Sequence, residues 1–130
     1  MKNIYERYIK NSVNEDLESK MVFVAGPRQV GKTTCALTFL SPSNEQHPAY
    51  LNWDDIQVRS AILRGELPPN ENIVVFDEIH KFARWRNLIK GFYDTHKSNI
   101  SFIITGSARL DYYSKGGDSL QGRYHYYRLH

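Results

Sequence analysis

Short apolar runs alternate along the chain with longer amphipathic stretches, and the two have different periods. "MVFVA" (21–25), "AYLNW" (49–53), "NIVVF" (72–76) and "ISFII" (100–104) are mostly continuous apolar or β-branched runs bounded by turn residues or charge, which predicts four buried strands. Between them, Ala36, Leu37 and Leu40 in "KTTCALTFL" (32–40) fall at helical spacing, and Ser41-Pro42 closes that helix. "DDIQVRSAILRG" predicts a second helix, with Asp54 and Asp55 at its start and Gly65 at its end, ahead of the Pro68-Pro69 break. Ile79, Phe82, Trp85 or Arg86, Ile89 and Phe92 read as one face of a third helix. At the amino end, Ile4, Tyr8 and Val13 sit at helix-like intervals among charges and suggest an entry helix within residues 1–20.

Strands that are apolar on both faces, alternating with helices, imply an α/β fold with a mainly parallel sheet covered on both sides. Ligands of such sheets bind beyond the carboxyl ends of the strands. The segments "GPRQVGKTT", "WDD", "DEIHK" and "TGSAR" should therefore meet at one edge.

"GPRQVGKT" (26–33) fits the pattern G-x-x-x-x-G-K-[ST] between a predicted strand and a predicted helix. Glycines let backbone N–H groups curl around an anion, and the helix start adds its own unsatisfied donors. Gly26, Pro27, Arg28, Gln29, Val30, Gly31, Lys32, Thr33 and Thr34 form the expected phosphate-binding set. Lys32 would reach the β- and γ-phosphates, and the Thr33 hydroxyl would ligate Mg²⁺. The bland alternative is a glycine turn followed by a surface lysine.

"IVVFDE" (73–78) ends a strand in two carboxylates, a poor place for charge without a cation. Asp77 suits the magnesium shell, through water, and Glu78 suits polarisation of a water attacking the γ-phosphate. Either could instead cap a following helix. In "IITGSAR" (103–109), Thr105 or Ser107 is a candidate sensor of the γ-phosphate, with a helix cap as the competing role for Ser107. Asp54 and Asp55 read first as a helix-start pair and second as a contribution to the magnesium site. Cys35 reads as a small buried apolar residue, and Trp53 and Trp85 as core.

The chain has 130 residues, enough for one core-bearing domain, and lysine plus arginine exceed aspartate plus glutamate by only 17 to 14. That excess alone does not imply nucleic acid. The single cysteine excludes an internal disulfide, and no segment has a signal-peptide pattern or the roughly 20 apolar residues of a membrane span. The expectation is a cytoplasmic protein that makes no use of a membrane.

Taken in order, "GPRQVGKTT", "YLNWDD", "VVFDEIHK", "IITGS" and "SLQGRYHYYRLH" resemble the prokaryotic AAA-like ATPases, P-loop proteins of the additional-strand, catalytic-glutamate class. The resemblance runs from about residue 3 to residue 130. It implies a three-layer P-loop sandwich with a five-stranded sheet in the order 5-1-4-3-2, "GRYHYYRLH" supplying the fifth strand and its turn. It also implies ATP and Mg²⁺ as cofactors, Lys32 and Thr33 at nucleotide and metal, Asp77 and Glu78 as the acidic motif, and "TGS" as the sensor.

Residues 1–130 are then one ATPase domain, and the stop at His130 reads as a seam in a larger protein whose helical lid and C-terminal domain lie beyond it. Self-association or that C-terminal domain would be the partner. Arg123 is the first candidate for an arginine acting on the γ-phosphate, ahead of Arg109 and Arg28, each with a solvated surface role as alternative. Other functions stay open: a nucleotide switch with negligible hydrolysis, a phosphotransferase with a small acceptor, and a nucleic-acid module using the tyrosine-rich basic end.

Overall fold

The computed structural model describes residues 21–25, 32–106 and 124–128. The predicted entry helix in residues 1–20, the phosphate loop at 26–31 and the segment 107–123 lie outside the described residues, as do Leu129 and His130.

Five parallel strands form one sheet: β1 (Met21–Ala25), β2 (Tyr50–Asn52), β3 (Ile73–Asp77), β4 (Ser101–Gly106) and β5 (Tyr124–Arg128). Their spatial order is β2-β3-β4-β1-β5, the expected 5-1-4-3-2 viewed from the opposite edge. All five residues of β1 are buried, as a central strand covered on both faces requires.

Alternation along the strands sorts the core into two layers. One face carries Met21, Phe23, Val74, Phe76, Phe102 and Ile104, covered by Ile62 of α2 (Ile56–Leu63) and by Trp85, Ile89 and Phe92 of α3 (Trp85–His96). The other carries Val22, Val24, Val75 and Ile103, covered by Ala36 and Leu37 of α1 (Lys32–Leu37) and by Leu40. The outcome is a three-layer α/β sandwich. Trp53 and Trp85 are core residues as expected, whereas Cys35 is half-buried against the second layer and not enclosed by it.

Local chemistry explains the helix limits. Asp55 caps α2 by accepting from the N–H groups of Gln57 and Val58. Gly65 closes it in the left-handed region at φ +78°, with Glu66 N–H bonded to Ala61 C=O and Gly65 N–H to Ile62 C=O. Helix α1 is shorter than its spacing implies: beyond Leu37 the bonds tighten to Phe39 N–H with Ala36 C=O and Leu40 N–H with Leu37 C=O. Leu40 nonetheless stays buried. Strands β3 and β4 each run past their apolar cores, to Asp77 and Gly106, because the ladder continues through Asp77 opposite Thr105.

One prediction is corrected. The expected continuous helix from Ile79 to Phe92 is broken: Glu78 takes φ +65°, a 3₁₀ turn covers Ile79–Lys81, Phe82 is extended, and α3 begins only at Trp85. The apolar spacing misled because both pieces cover the same sheet face, so Ile79, Trp85, Ile89 and Phe92 share one core although they do not share one helix. Phe82, in the break, stacks on Trp53 with ring centroids 5.1 Å apart.

The tail also acquires a place. Tyr124 stacks on Phe23 at 4.5 Å, and Tyr124 and Tyr126 pack against the first layer while Tyr127 packs against the second. Strand β5 runs parallel beside β1 from Tyr124 opposite Met21 to Arg128 opposite Ala25.

Candidate functional site

Strand register brings the carboxyl ends together. Asn52 lies opposite Asp77, Asp77 opposite Thr105, and Thr105 opposite Val24 one residue before β1 ends. The edge so formed carries the described residues that the motifs singled out.

Asp77 is its centre. The side chain is buried at the end of β3, where an ionised carboxylate must be met by donors or by a cation. Three hydroxyls meet it. Thr105 of β4 donates to Oδ1 at 2.7 Å, Thr33 of α1 donates to Oδ2 at 3.1 Å, and the phenol of Tyr50 on β2 also donates to Oδ2. Tyr50 and Thr105 are themselves buried, so neither hydroxyl has bulk water as an easy substitute partner. Burial, then the hydrogen bond to Asp77 and its nearby charge, push the Tyr50 phenol well above its ordinary range. Tyr50 therefore acts as a neutral donor.

Lys32, next to Thr33 at the start of α1, is 7% exposed. Among the described residues no ion pair joins it to Asp77 or Glu78. A buried ammonium calls for an anionic partner.

Glu78, the very next residue after Asp77, stands in a different setting. Its backbone is left-handed, its N–H donates to the Thr105 carbonyl at 3.2 Å, and its side chain is one-quarter exposed. Oε2 lies 3.6 Å from His80 Nε2 and 3.8 Å from Lys81 Nζ. Lys81 in turn binds both carboxylate oxygens of Asp54 at 2.9 Å. Asp54 thus belongs to a half-exposed ion pair and Asp55 to the α2 cap, while the carboxylate that faces Thr33 is Asp77.

The donor set suits magnesium. A hydroxyl and a carboxylate are hard oxygen ligands, and Mg²⁺ commonly takes one or two such groups together with phosphates and several waters. Among the described residues no three His, Cys, Asp or Glu side chains converge to build a protein-only cage. Thr33 and Asp77 would hold the ion, which when bound would supply positive charge to offset that of a phosphate.

Of the residues expected at the site, Lys32, Thr33, Asp77, Glu78 and Thr105 share this edge, and Thr34 is exposed on α1. Gly26, Pro27, Arg28, Gln29, Val30, Gly31, Ser107, Arg109 and Arg123 lie outside the described residues. Sequence reasoning missed Tyr50, and also His80 and Lys81 as neighbours of Glu78. Only the register could have signalled Tyr50: it pairs with Val75, two residues before Asp77 on the same face, within reach of a phenol ring.

No helix among the described residues is long and apolar enough to cross a membrane. No curated protein matches the chain. A family model described as AAA domain matches residues 18–130. That match spans most of the chain and every strand of the sheet, so the chain belongs to the AAA domain family, the AAA-like P-loop ATPases, whose members are nucleotide-binding domains.

Proposed function

We propose that this chain binds ATP with Mg²⁺ and hydrolyses it, as the motor or switch part of a larger protein. The observation that carries this reading is the hydrogen-bonded set of Thr33, Asp77 and Thr105 beside buried Lys32, at the edge where the motif-bearing strands end. Lys32 holds the β- and γ-phosphates. Thr33 and Asp77 position the cation, Asp77 through water. Thr105, bonded to Asp77 and offering its carbonyl to Glu78, links the acidic pair to the strand that precedes the sensor segment, where Ser107 is the second candidate.

Glu78 is the group for the attacking water. It does not share the hydroxyl cage of Asp77, and with only the longer contacts to His80 and Lys81 among the described residues its one-quarter-exposed carboxylate can turn to accept a proton or to orient a water. Arg123 is retained as the candidate for transition-state charge. Residues 1–130 act in this reading as one cytoplasmic ATPase domain of the catalytic-glutamate class, passing its state to a partner domain or to another copy of the chain.

A second reading has an observation of its own. Glu78 lies near His80 and Lys81, and a carboxylate held there stands back from a water. Such a site would bind nucleotide as a switch and turn it over negligibly. Calorimetric titration with a non-hydrolysable ATP analogue, with and without Mg²⁺, tests the shared part of both readings. Wild-type protein should bind and Lys32→Ala should lose about 2 kcal/mol or more, the scale of a charge-assisted contact. Equal affinity of the two proteins would overturn the phosphate role of Lys32.

A further inference from the structure

Thr33 and Thr105 are expected around Asp77 from their motifs, but Tyr50 comes from the edge strand of the sheet and belongs to neither motif. A carboxylate offers about four acceptor positions. Here Oδ1 takes the Thr105 hydroxyl, and Oδ2 takes both Thr33 and Tyr50. Three positions are filled, and the one that remains is on Oδ1.

We propose that Tyr50 is a positioning residue for the magnesium site: by occupying Oδ2 together with Thr33, it fixes the Asp77 carboxylate in one orientation and leaves one acceptor position, on Oδ1, for the cation and its water shell. The inference rests on the reading of Thr33 and Asp77 as the magnesium residues. Its own support is geometric. Strand β2 is only three residues long and is pinned to β3 through Tyr50 opposite Val75, with Val75 N–H bonded to Ala49 C=O and Trp53 N–H to Asp77 C=O. The ring is buried in the layer that also holds Val75, Val24 and Ala36, and from there its hydroxyl reaches Asp77.

Direct coordination through Oδ2 would require Thr33 or Tyr50 to give up its acceptor. Thr33 can turn its hydroxyl lone pairs to the ion while its proton stays on Asp77. Tyr50 has no such second task, and its contribution is to hold the carboxylate still. Partners that orient a metal-associated carboxylate commonly account for a 10- to 100-fold change in metal affinity.

The test uses Mn²⁺ as a spectroscopic stand-in for Mg²⁺. Electron paramagnetic resonance titration measures its affinity for the full chain loaded with a non-hydrolysable ATP analogue, and a separate titration in EDTA measures affinity for the analogue alone. Tyr50→Phe should weaken Mn²⁺ binding roughly tenfold and leave metal-free nucleotide affinity unchanged. Replacing Tyr50 by 4-aminophenylalanine, which keeps a donor at the same place, should restore most of the loss. In an Asp77→Asn background, Tyr50→Phe should have no further effect on Mn²⁺, since the two groups act as one unit.

Unchanged Mn²⁺ affinity in Tyr50→Phe, with only a lower thermal midpoint, would make Tyr50 a packing residue and overturn the proposal. Failure of 4-aminophenylalanine to restore affinity would do the same, and it remains decisive if the phenylalanine variant does not fold. Wild-type protein that binds no Mn²⁺ with the analogue would overturn the magnesium reading itself, and Tyr50 with it.

Discussion

Asp77 and Glu78 are neighbours in the chain and opposites in the fold. Asp77 closes β3, is buried, and is surrounded by three hydroxyls on α1, β2 and β4. Glu78 sits one residue on in a left-handed turn, one-quarter exposed, with cationic or titratable groups 3.6 and 3.8 Å away. Neutral donors in a buried setting fix a carboxylate in one orientation. Loose contacts at a wet edge leave one adjustable. A residue that positions a cation needs the first setting, and a residue that must meet a water and release it needs the second.

Removing the side chain should therefore act with opposite sign on the two. Asp77→Ala strands three hydroxyls, two of them buried, and should lower unfolding free energy by about 3 kcal/mol, since each buried group left without a partner costs about 1–3 kcal/mol. Glu78→Gly should raise it by roughly 1 kcal/mol, because a left-handed backbone is strained for glutamate and not for glycine. Urea unfolding of both variants checks the pair. Equal destabilisation would show that Glu78 is as firmly built in as Asp77.

A smaller effect sharpens the Asp77 side. The folded protein holds the Tyr50 phenol neutral well above its ordinary value of 10.0, whereas the unfolded chain ionises near that value. The raised value means that this stabilisation is complete below pH 10 and is lost as pH rises toward the folded value. Of the nine tyrosines, Tyr50 should resist ionisation in an alkaline absorbance titration until the protein unfolds, and Tyr50→Phe should flatten the alkaline fall in stability. A variant with an unchanged alkaline limb would contradict the buried hydrogen bond.

The smallest effect belongs to the Glu78 side. Lys81 and Asp54 are each about half exposed, and pairs of that kind contribute roughly 0–1 kcal/mol, less in salt. Lys81→Met should shift stability by under about 0.5 kcal/mol, fading at high ionic strength. A large, salt-independent loss would mean that the turn after β3 is not adjustable.

Much of this was legible beforehand because it is written in strand ends. A buried parallel strand must be apolar until it reaches its edge, so the first polar residues after "VVF" and "FII" mark where a ligand can be met. Asp77 and Thr105 stand out in that way and Thr33 through the G-x-x-x-x-G-K-[ST] pattern; register pairs Asp77 with Thr105, and the helix start brings Thr33 to the same carboxylate. The break at Glu78 was hidden, since apolar spacing reports which side chains share a core and is silent on whether one helix or two carries them. Tyr50 was hidden for a related reason: its apolar ring fits a strand pattern, and its hydroxyl acquires meaning only when β2 is laid beside β3.

In the proposed function these two settings divide one reaction, cation placement at Asp77 and water activation at Glu78. Magnesium-dependent phosphate release by wild-type protein and by Glu78→Gln, with analogue binding measured on both, tests it most directly. Binding should be alike, while release should fall by about 10²-fold or more in the variant, the scale of a lost general base. Equal release from the two proteins would contradict it.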